Sequence, residues 1–507
     1  MGWGHGRGRA AEGRVWRAPG RGNPFDARRR CLVCRRVPPS PVPSLLLARA
    51  WASATAWTWA QNGLRLGGGL VTLALLVRFL PKAELGMFYV FLALTAFLWV
   101  LDGAVSANLS RYLSYALGGA DALRPTGMAP PRPGAAPNWP LVGELLGAIA
   151  WLYRRFAGLC GLLLLAAGTP MIWPLLPQTG SAAWSATAWA ATVAAAAVDV
   201  QASASLTALR GLDRVRDAAQ IATLSLALRP VLLALFLIAD AGLLALPAAT
   251  LLTAGLAMFT GRRRLAGWLR DATTMAGPAR PAASRALLAV LWPNTWRVGV
   301  KLLSLYLANL ALVHFCTRRL GLSGVAAYGL TVQLGNLAHG FASAWTLVKL
   351  PAAAQLRAAG RVADLRRLLW PRVWLQDLSF VAAAAGIVFA GPWLLRTLGT
   401  DQELLPQPWL LVFLVNGFLW MGFSFWTFLI TTENRVPSLW PTVATSGVTI
   451  LLAGGLLHGT ELGLGALVLA PLLAGLAFNY WYWPASGARS LGTSRLRYFL
   501  TPQPPRE

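Results

Sequence analysis

The sequence predicts an all-α, polytopic membrane protein of about twelve spanning helices, arranged as two six-helix lobes around a central cavity. Three observations predict it. Apolar runs of roughly 18 to 25 residues recur along the chain, each long enough to cross a hydrocarbon core of about 30 Å as a helix. Basic residues crowd every second connection between those runs. The 507 residues are 56% hydrophobic and only 12% charged, and the mean hydropathy is +0.53, so water is not the main solvent of the folded chain.

Residues 1–50 come first, with arginines from Arg7 to Arg36 interspersed with Pro and Gly. Such a segment lacks the apolar content to form a core, and it is expected to be a disordered cytoplasmic tail able to touch anionic lipid headgroups. Cys31 and Cys34 are the one close cysteine pair, with no second ligand pair nearby, so no metal is expected. The predicted spans 56–80, 86–103, 156–176, 182–205, 218–239 and 242–261 make up a first lobe, residues 51–262. A basic linker, 263–285, follows. Spans 289–315, 324–347, 374–398, 408–431, 437–457 and 463–483 form the second lobe, 286–485, and residues 486–507 a second cytoplasmic tail.

The net charge of +27 would suggest nucleic acid in a soluble protein, but here it marks topology. Arg111, Arg154 and Arg155 follow the second span, Arg210, Arg214 and Arg216 the fourth, and Arg262 to Arg285 the sixth. Arg357, Arg366, Arg367 and Arg372 follow the eighth, and Arg435 the tenth. The intervening loops hold little beyond Lys82, Arg318, Arg319 and Arg396. By the positive-inside rule both termini face the cytoplasm, and the expected location is the bacterial inner membrane.

Two short recurrences link span n with span n+6. Asn62-Gly-Leu-Arg65 recurs as Asn294-Thr-Trp-Arg297, and Asp213-Arg214-Val215 as Asn434-Arg435-Val436. A two-bundle transporter with a substrate path between the bundles would repeat in this way.

Ionised side chains at mid-bilayer cost roughly 2.5 to 3.5 kcal/mol on insertion scales, so they turn toward a bundle interior or a wet cavity. Asn294, Arg297 and Lys301 share one helical face at spacings i, i+3, i+7, with Asn309 near the same stripe. Two cations one turn apart are best tolerated where an anion sits between them, and a phosphate or diphosphate suits Arg with Lys. Asn62 and Arg65 present the same pair from the first span, beside Gly63, Gly67, Gly68 and Gly69, which allow close helix approach. Snorkelling of Arg65 and Arg297 to headgroups is the alternative. Asp199, in an Ala-rich run, is a candidate for ion coupling or a buried ion pair; Arg229 and Asp377 are similar cases of open depth. Gln333 and Asn336 share a face of the eighth span and either hold helices together or contact sugar.

Catalysis finds no footing. His5, His314, His339 and His458 are not spaced for zinc, no Gly-rich phosphate loop ends in Gly-Lys-Ser/Thr, and no loop is long enough for a soluble catalytic domain. The chain is expected not to be an enzyme, to use no cofactor, and not to bind nucleic acid.

The stretch Arg78-Phe-Leu-Pro-Lys-Ala-Glu-Leu-Gly-Met-Phe-Tyr89 resembles the junction between the first two spans of polysaccharide exporters in the multidrug/oligosaccharidyl-lipid/polysaccharide (MOP) exporter superfamily. Leu209-Arg-Gly-Leu-Asp-Arg-Val215 and Thr432-Glu-Asn-Arg-Val436 are similar to that superfamily's loops after the fourth and tenth spans. The resemblance implies alternating access between two bundles. It also implies flipping of a polyprenyl-diphosphate-linked oligosaccharide for O-antigen or exopolysaccharide synthesis, alongside polymerase and assembly partners. Arg65, Arg297 and Lys301 meet the cationic cavity such flippases require. A cation-coupled exporter of small organic molecules, with Asp199 dominant, and a membrane-embedded polymerase or glycosyltransferase are the competing readings.

Overall fold

The computed structural model describes residues 54–120, 137–273, 284–358, 360–431 and 437–494, and these described residues pack as one compact unit. The basic tail with Cys31 and Cys34, the loop Thr432–Val436 with its second copy of the Arg-Val motif, residues 274–283 of the linker, and the end of the chain lie outside the described residues. The described residues are predominantly helical, without a strand among them. In chain order the helices are α1 (Ala54–Phe79), α2 (Lys82–Thr95), α3 (Phe97–Leu117), α4 (Trp139–Leu163), α5 (Ala182–Gly211), α6 (Val215–Ile238) and α7 (Ala245–Thr273). The second half holds α8 (Ser284–Leu347), α9 (Leu350–Ala358), α10 (Val362–Thr397), α11 (Gln407–Thr431), α12 (Leu439–Gly459), α13 (Leu464–Ala477) and α14 (Asn479–Ser490).

Among the described residues, eight helical segments are long and apolar enough to cross a membrane, or nine if α13 and α14, bent by 40°, act as one span. The chain is a multi-span membrane protein. The first two predicted spans are not among the eight: α1 carries Asn62, Arg65 and Arg78, and the second is divided at Ala96 into α2 and α3. The seventh and eighth are fused in α8, where Gly321, at φ 67 and ψ −173, interrupts the helix without an intervening loop.

Several helices overrun the apolar runs that predicted them. Asn138 caps α4 by accepting the Leu141 N–H at 3.2 Å, with Pro140 in the first turn, so the third helix starts well before residue 156. At the other end a single π turn, Leu164–Gly168, and short helical turns carry it to Gln178. Helix α7 continues through Arg262–Arg264 to Thr273 because Leu265 and Trp268 still find apolar partners, Trp268 lying 5.8 Å from Trp139.

The Leu209–Val215 motif has a local role in this architecture. Asp213, at φ 59, ends α5, and the Arg214 N–H returns to the Leu209 carbonyl at 2.8 Å. A Cβ on Gly211 would stand 2.8 Å from Leu113 and 2.9 Å from the Ser110 carbonyl, so glycine lets α5 press onto α3.

The halves meet along α8. Its second limb packs on α2, where Gly86 lies against the Leu322 backbone and Gly329 against the Tyr89 ring. The largest apolar cluster runs across this seam, combining Leu85 and Val90 of the first half with Leu312 and Val325 of the second. At the end opposite the basic loops, Gln402 Nε2 donates to the Leu80 carbonyl at 3.0 Å and Lys82 pairs with Glu403 at 3.2 Å.

Candidate functional site

Arg65 opens into a cavity of about 370 Å³ inside the first half. Gly68 and Gly69 follow it on α1, and a Cβ at Gly69 would meet Leu337 of α8 at 2.8 Å, so this part of α1 lies close to the second half. Three further charges line the same space: Asp102 from α3, Asp199 from α5 and Arg229 from α6. Gln333 of α8 also lines it, the one lining residue contributed by the second half, and its buried side-chain carbonyl has no hydrogen-bond partner among the described residues.

These charges are held from behind. Tyr153 donates to Asp102 Oδ1 at 2.6 Å, and its hydroxyl lies 3.3 Å from that of Thr207. Arg210 acts on Asp102 electrostatically, Arg229 acts on Asp199, and Arg229 Nε is 3.4 Å from the buried Thr253 hydroxyl. Among the residues lining the chamber, two guanidiniums, those of Arg65 and Arg229, balance two carboxylates, those of Asp102 and Asp199, and Arg210 acts on Asp102 from outside the lining.

A second cavity, of about 310 Å³, lies wholly within the second half. Asn309 and Asn336 line it with Asn416, Trp420 and Tyr480, and no Asp, Glu, Lys or Arg does. A third, of about 250 Å³, lies at the seam between Gln178 and the His314–Arg318 turn of α8.

The structure thus distributes the candidates of the sequence. Arg65, Asp199 and Gln333 line the first chamber, and Asn309 and Asn336 the second. Arg297 and Lys301 line none of these three cavities. Lys301 Nζ donates to Ser438 Oγ at 2.9 Å and lies 5.8 Å from the Phe423 ring centre, while Arg297 is exposed, 5.8 Å from the Trp296 ring. Asn62 is exposed on α1, and the Asn294 side chain lies outside the described residues. Of the earlier open cases, Arg229 reaches the first chamber and Asp377 lies beside buried Gln376. Sequence reasoning missed Asp102 and Asn416. Each is a lone polar side chain within an apolar run, which was the available signal.

No known family profile matches the chain, and no curated protein matches it in sequence. Solved structures do match in fold. An inward-facing multidrug resistance MATE transporter of the MOP superfamily superposes with a TM-score of 0.62 at 16% identity, covering 84% of this chain and 95% of that one. The lipid II flippase MurJ, in an inward closed conformation, gives 0.61 at 13% identity, covering 88% and 89%. The chain shares its fold with these two transporters. A MOP superfamily transporter from Pyrococcus furiosus, described by the reverse polarity of its binding pocket, is a further match at a TM-score of 0.50 and 16% identity, covering 88% of this chain and 97% of that one. This likeness in fold agrees with the superfamily resemblance read from Arg78–Tyr89 and the two loop motifs.

Proposed function

We propose that this chain flips an anionic polyprenyl-diphosphate-linked oligosaccharide across the bacterial inner membrane for polysaccharide or O-antigen assembly, with both termini cytoplasmic. The observation that carries the reading is Arg65 lining a chamber inside the first half, beside the seam and within reach of α8. Arg65 is itself exposed, and its guanidinium offers paired donors to a phosphate entering the chamber. Arg229 in the lining and Arg210 behind Asp102 offset the two carboxylates, Asp102 and Asp199, and leave Arg65 for the anion. In this reading the polyprenyl tail stays in lipid, the diphosphate meets Arg65, and exposed Arg297 and the Lys301 ammonium complete its path along α8. A likeness in fold to a lipid II flippase is consistent with such a cargo.

A second reading has its own observation. Asp102 and Asp199 line the same chamber, which is where a cation-coupled exporter of organic molecules would hold its coupling ion or cargo. The two readings separate in proteoliposomes carrying a fluorescent undecaprenyl-diphosphate saccharide, with ethidium export measured in parallel. Arg65→Ala is expected to lower flipping at least ~10-fold, as loss of a charge-assisted contact of about 1.5–3 kcal/mol implies, with normal insertion. Unchanged flipping in Arg65→Ala, or ethidium export that depends on Asp199 in a protein that does not flip the lipid, removes the flippase reading.

A further inference from the structure

The second-half cavity has a chemistry the first lacks. It is lined from α8, α10, α11, α12, α13 and α14, so it is enclosed by its own bundle. Its polar groups are amides, hydroxyls and the imidazole of His339, with no Asp, Glu, Lys or Arg, interleaved with the aromatic rings of Phe380, Phe413 and Trp420. A phosphate would find no cation there, and an organic cation no carboxylate. A purely apolar guest would leave amides without partners, at a cost of roughly 1–3 kcal/mol for each.

Much of the hydrogen-bonding capacity of this wall is unspent. Tyr480 donates to Asn416 Oδ1 at 2.7 Å, which fixes the Asn416 carbonyl and leaves its N–H groups for a guest. Asn479 Nδ2 donates to Thr445 Oγ1 at 2.8 Å, which occupies one acceptor position of that hydroxyl. Asn309 spends one N–H on the Leu305 carbonyl at 2.9 Å. Asn336 and His339 both line the space and make no hydrogen bond with another described residue. A guest carrying many hydroxyls, each both donor and acceptor, with C–H faces to lay on the rings, satisfies this combination. The volume of about 310 Å³ is at the lower end for ligand pockets.

The position adds to the chemistry. Lys301 lies one helical turn before Leu305 on the limb of α8 that lines the chamber. Its ammonium is bonded to Ser438 Oγ, and the Ser438 carbonyl accepts the hydroxyl of Thr442, itself a lining residue, at 2.6 Å. A charged group joined to a sugar in the chamber would meet a cation at its edge.

We propose that this chamber is a saccharide site that receives the uncharged sugar portion of the cargo; the assignment rests on the lipid-linked-oligosaccharide reading above. It is tested with two single-cysteine reporters, Ser446→Cys in the second chamber and Thr72→Cys in the first, with Cys31 and Cys34 replaced by serine. Cys160 and Cys316 are buried and stay. Labelling by a small water-soluble thiol reagent is followed with a panel of neutral oligosaccharides, with undecaprenyl diphosphate bearing no sugar, and with tetraphenylphosphonium.

Neutral oligosaccharides are expected to slow labelling of Ser446→Cys about fivefold at fourfold their dissociation constant, and to leave Thr72→Cys unaffected. Adding Asn336→Leu and Asn416→Leu should weaken that protection ~10-fold or more, since each removes a hydrogen-bonding group while keeping volume. The proposal is overturned if no saccharide of the panel slows Ser446→Cys labelling, or if tetraphenylphosphonium or sugar-free undecaprenyl diphosphate slows it as strongly. Protection of Thr72→Cys by undecaprenyl diphosphate reports separately on the diphosphate site. Its loss with saccharide protection intact would sink the flippase reading and leave the sugar site standing.

Discussion

Replacing Gly86 by alanine puts a methyl group into the tightest backbone approach between the two halves. The new Cβ would stand 2.0 Å from the Leu322 carbonyl oxygen and 2.7 Å from its carbon, whereas ordinary contact begins at 3.4 Å. The two segments must part by about 1.4 Å, and the obstacle is backbone, which cannot swing aside as a side chain can. Overpacking costs typically 1–3 kcal/mol, and an immovable neighbour argues for about 3 kcal/mol. Because α2 and α8 belong to different halves, that cost falls on the arrangement in which the seam is closed. A 3 kcal/mol penalty shifts the balance between closed and open seams on the order of 100-fold. The readout is cross-linking of Lys82→Cys with Glu403→Cys, positions whose native side chains meet at 3.2 Å on the same end of the seam. Cross-linking should slow by about the same factor in Gly86→Ala. It should not change in Gly255→Ala, where an added Cβ meets nothing within 4 Å. Unchanged cross-linking in Gly86→Ala, in protein with a normal melting temperature, would refute the close approach and with it the seam geometry described here.

Tyr153→Phe should lower the melting temperature in detergent and lower transport, because the Asp102 carboxylate loses a 2.6 Å donor worth roughly 1.5–3 kcal/mol; equal melting curves would show that contact to be idle. Gln402→Ala removes a buried bond across the seam to the Leu80 carbonyl and should speed opening, whereas Glu403→Gln, losing an exposed pair worth about 0–1 kcal/mol, should have little effect; hydrogen exchange at residues 80–86 distinguishes them. Arg357→Ala should destabilise the second half, since Arg357 donates to the Leu429 carbonyl at 2.7 Å and to Ser490 Oγ at 2.8 Å and so ties the ends of α11 and α14, with Arg357→Lys recovering part of the loss in a thermal assay.

The helices themselves were legible from the chain. A run of apolar residues in a bilayer must satisfy its backbone internally, so hydropathy was enough to mark the chain as helical and multi-span, although the second predicted span divides at Ala96 and the seventh and eighth run together in α8. Helix ends were less legible. Local capping by Asn138, a left-handed Asp213 and the apolar side chains of Leu265 and Trp268 extend or stop helices in ways that a hydropathy window averages away.

What the sequence determined by itself was therefore the class of molecule, the polar residues that a membrane helix would not carry idly, and the position of Arg65 beside a glycine run. What only the tertiary structure decided was which of those residues share a space. Asp102, Asp199 and Arg229 stand on three different helices and converge with Arg65, while Lys301, in register with Arg297, turns instead toward Ser438. The physical reason is that lipid and protein interior are both apolar, so a membrane helix carries little periodic signal of which face points inward. Its rotation is set by close contacts such as Gly211 on α3 and Gly69 on Leu337, and these exist only once the helices have packed.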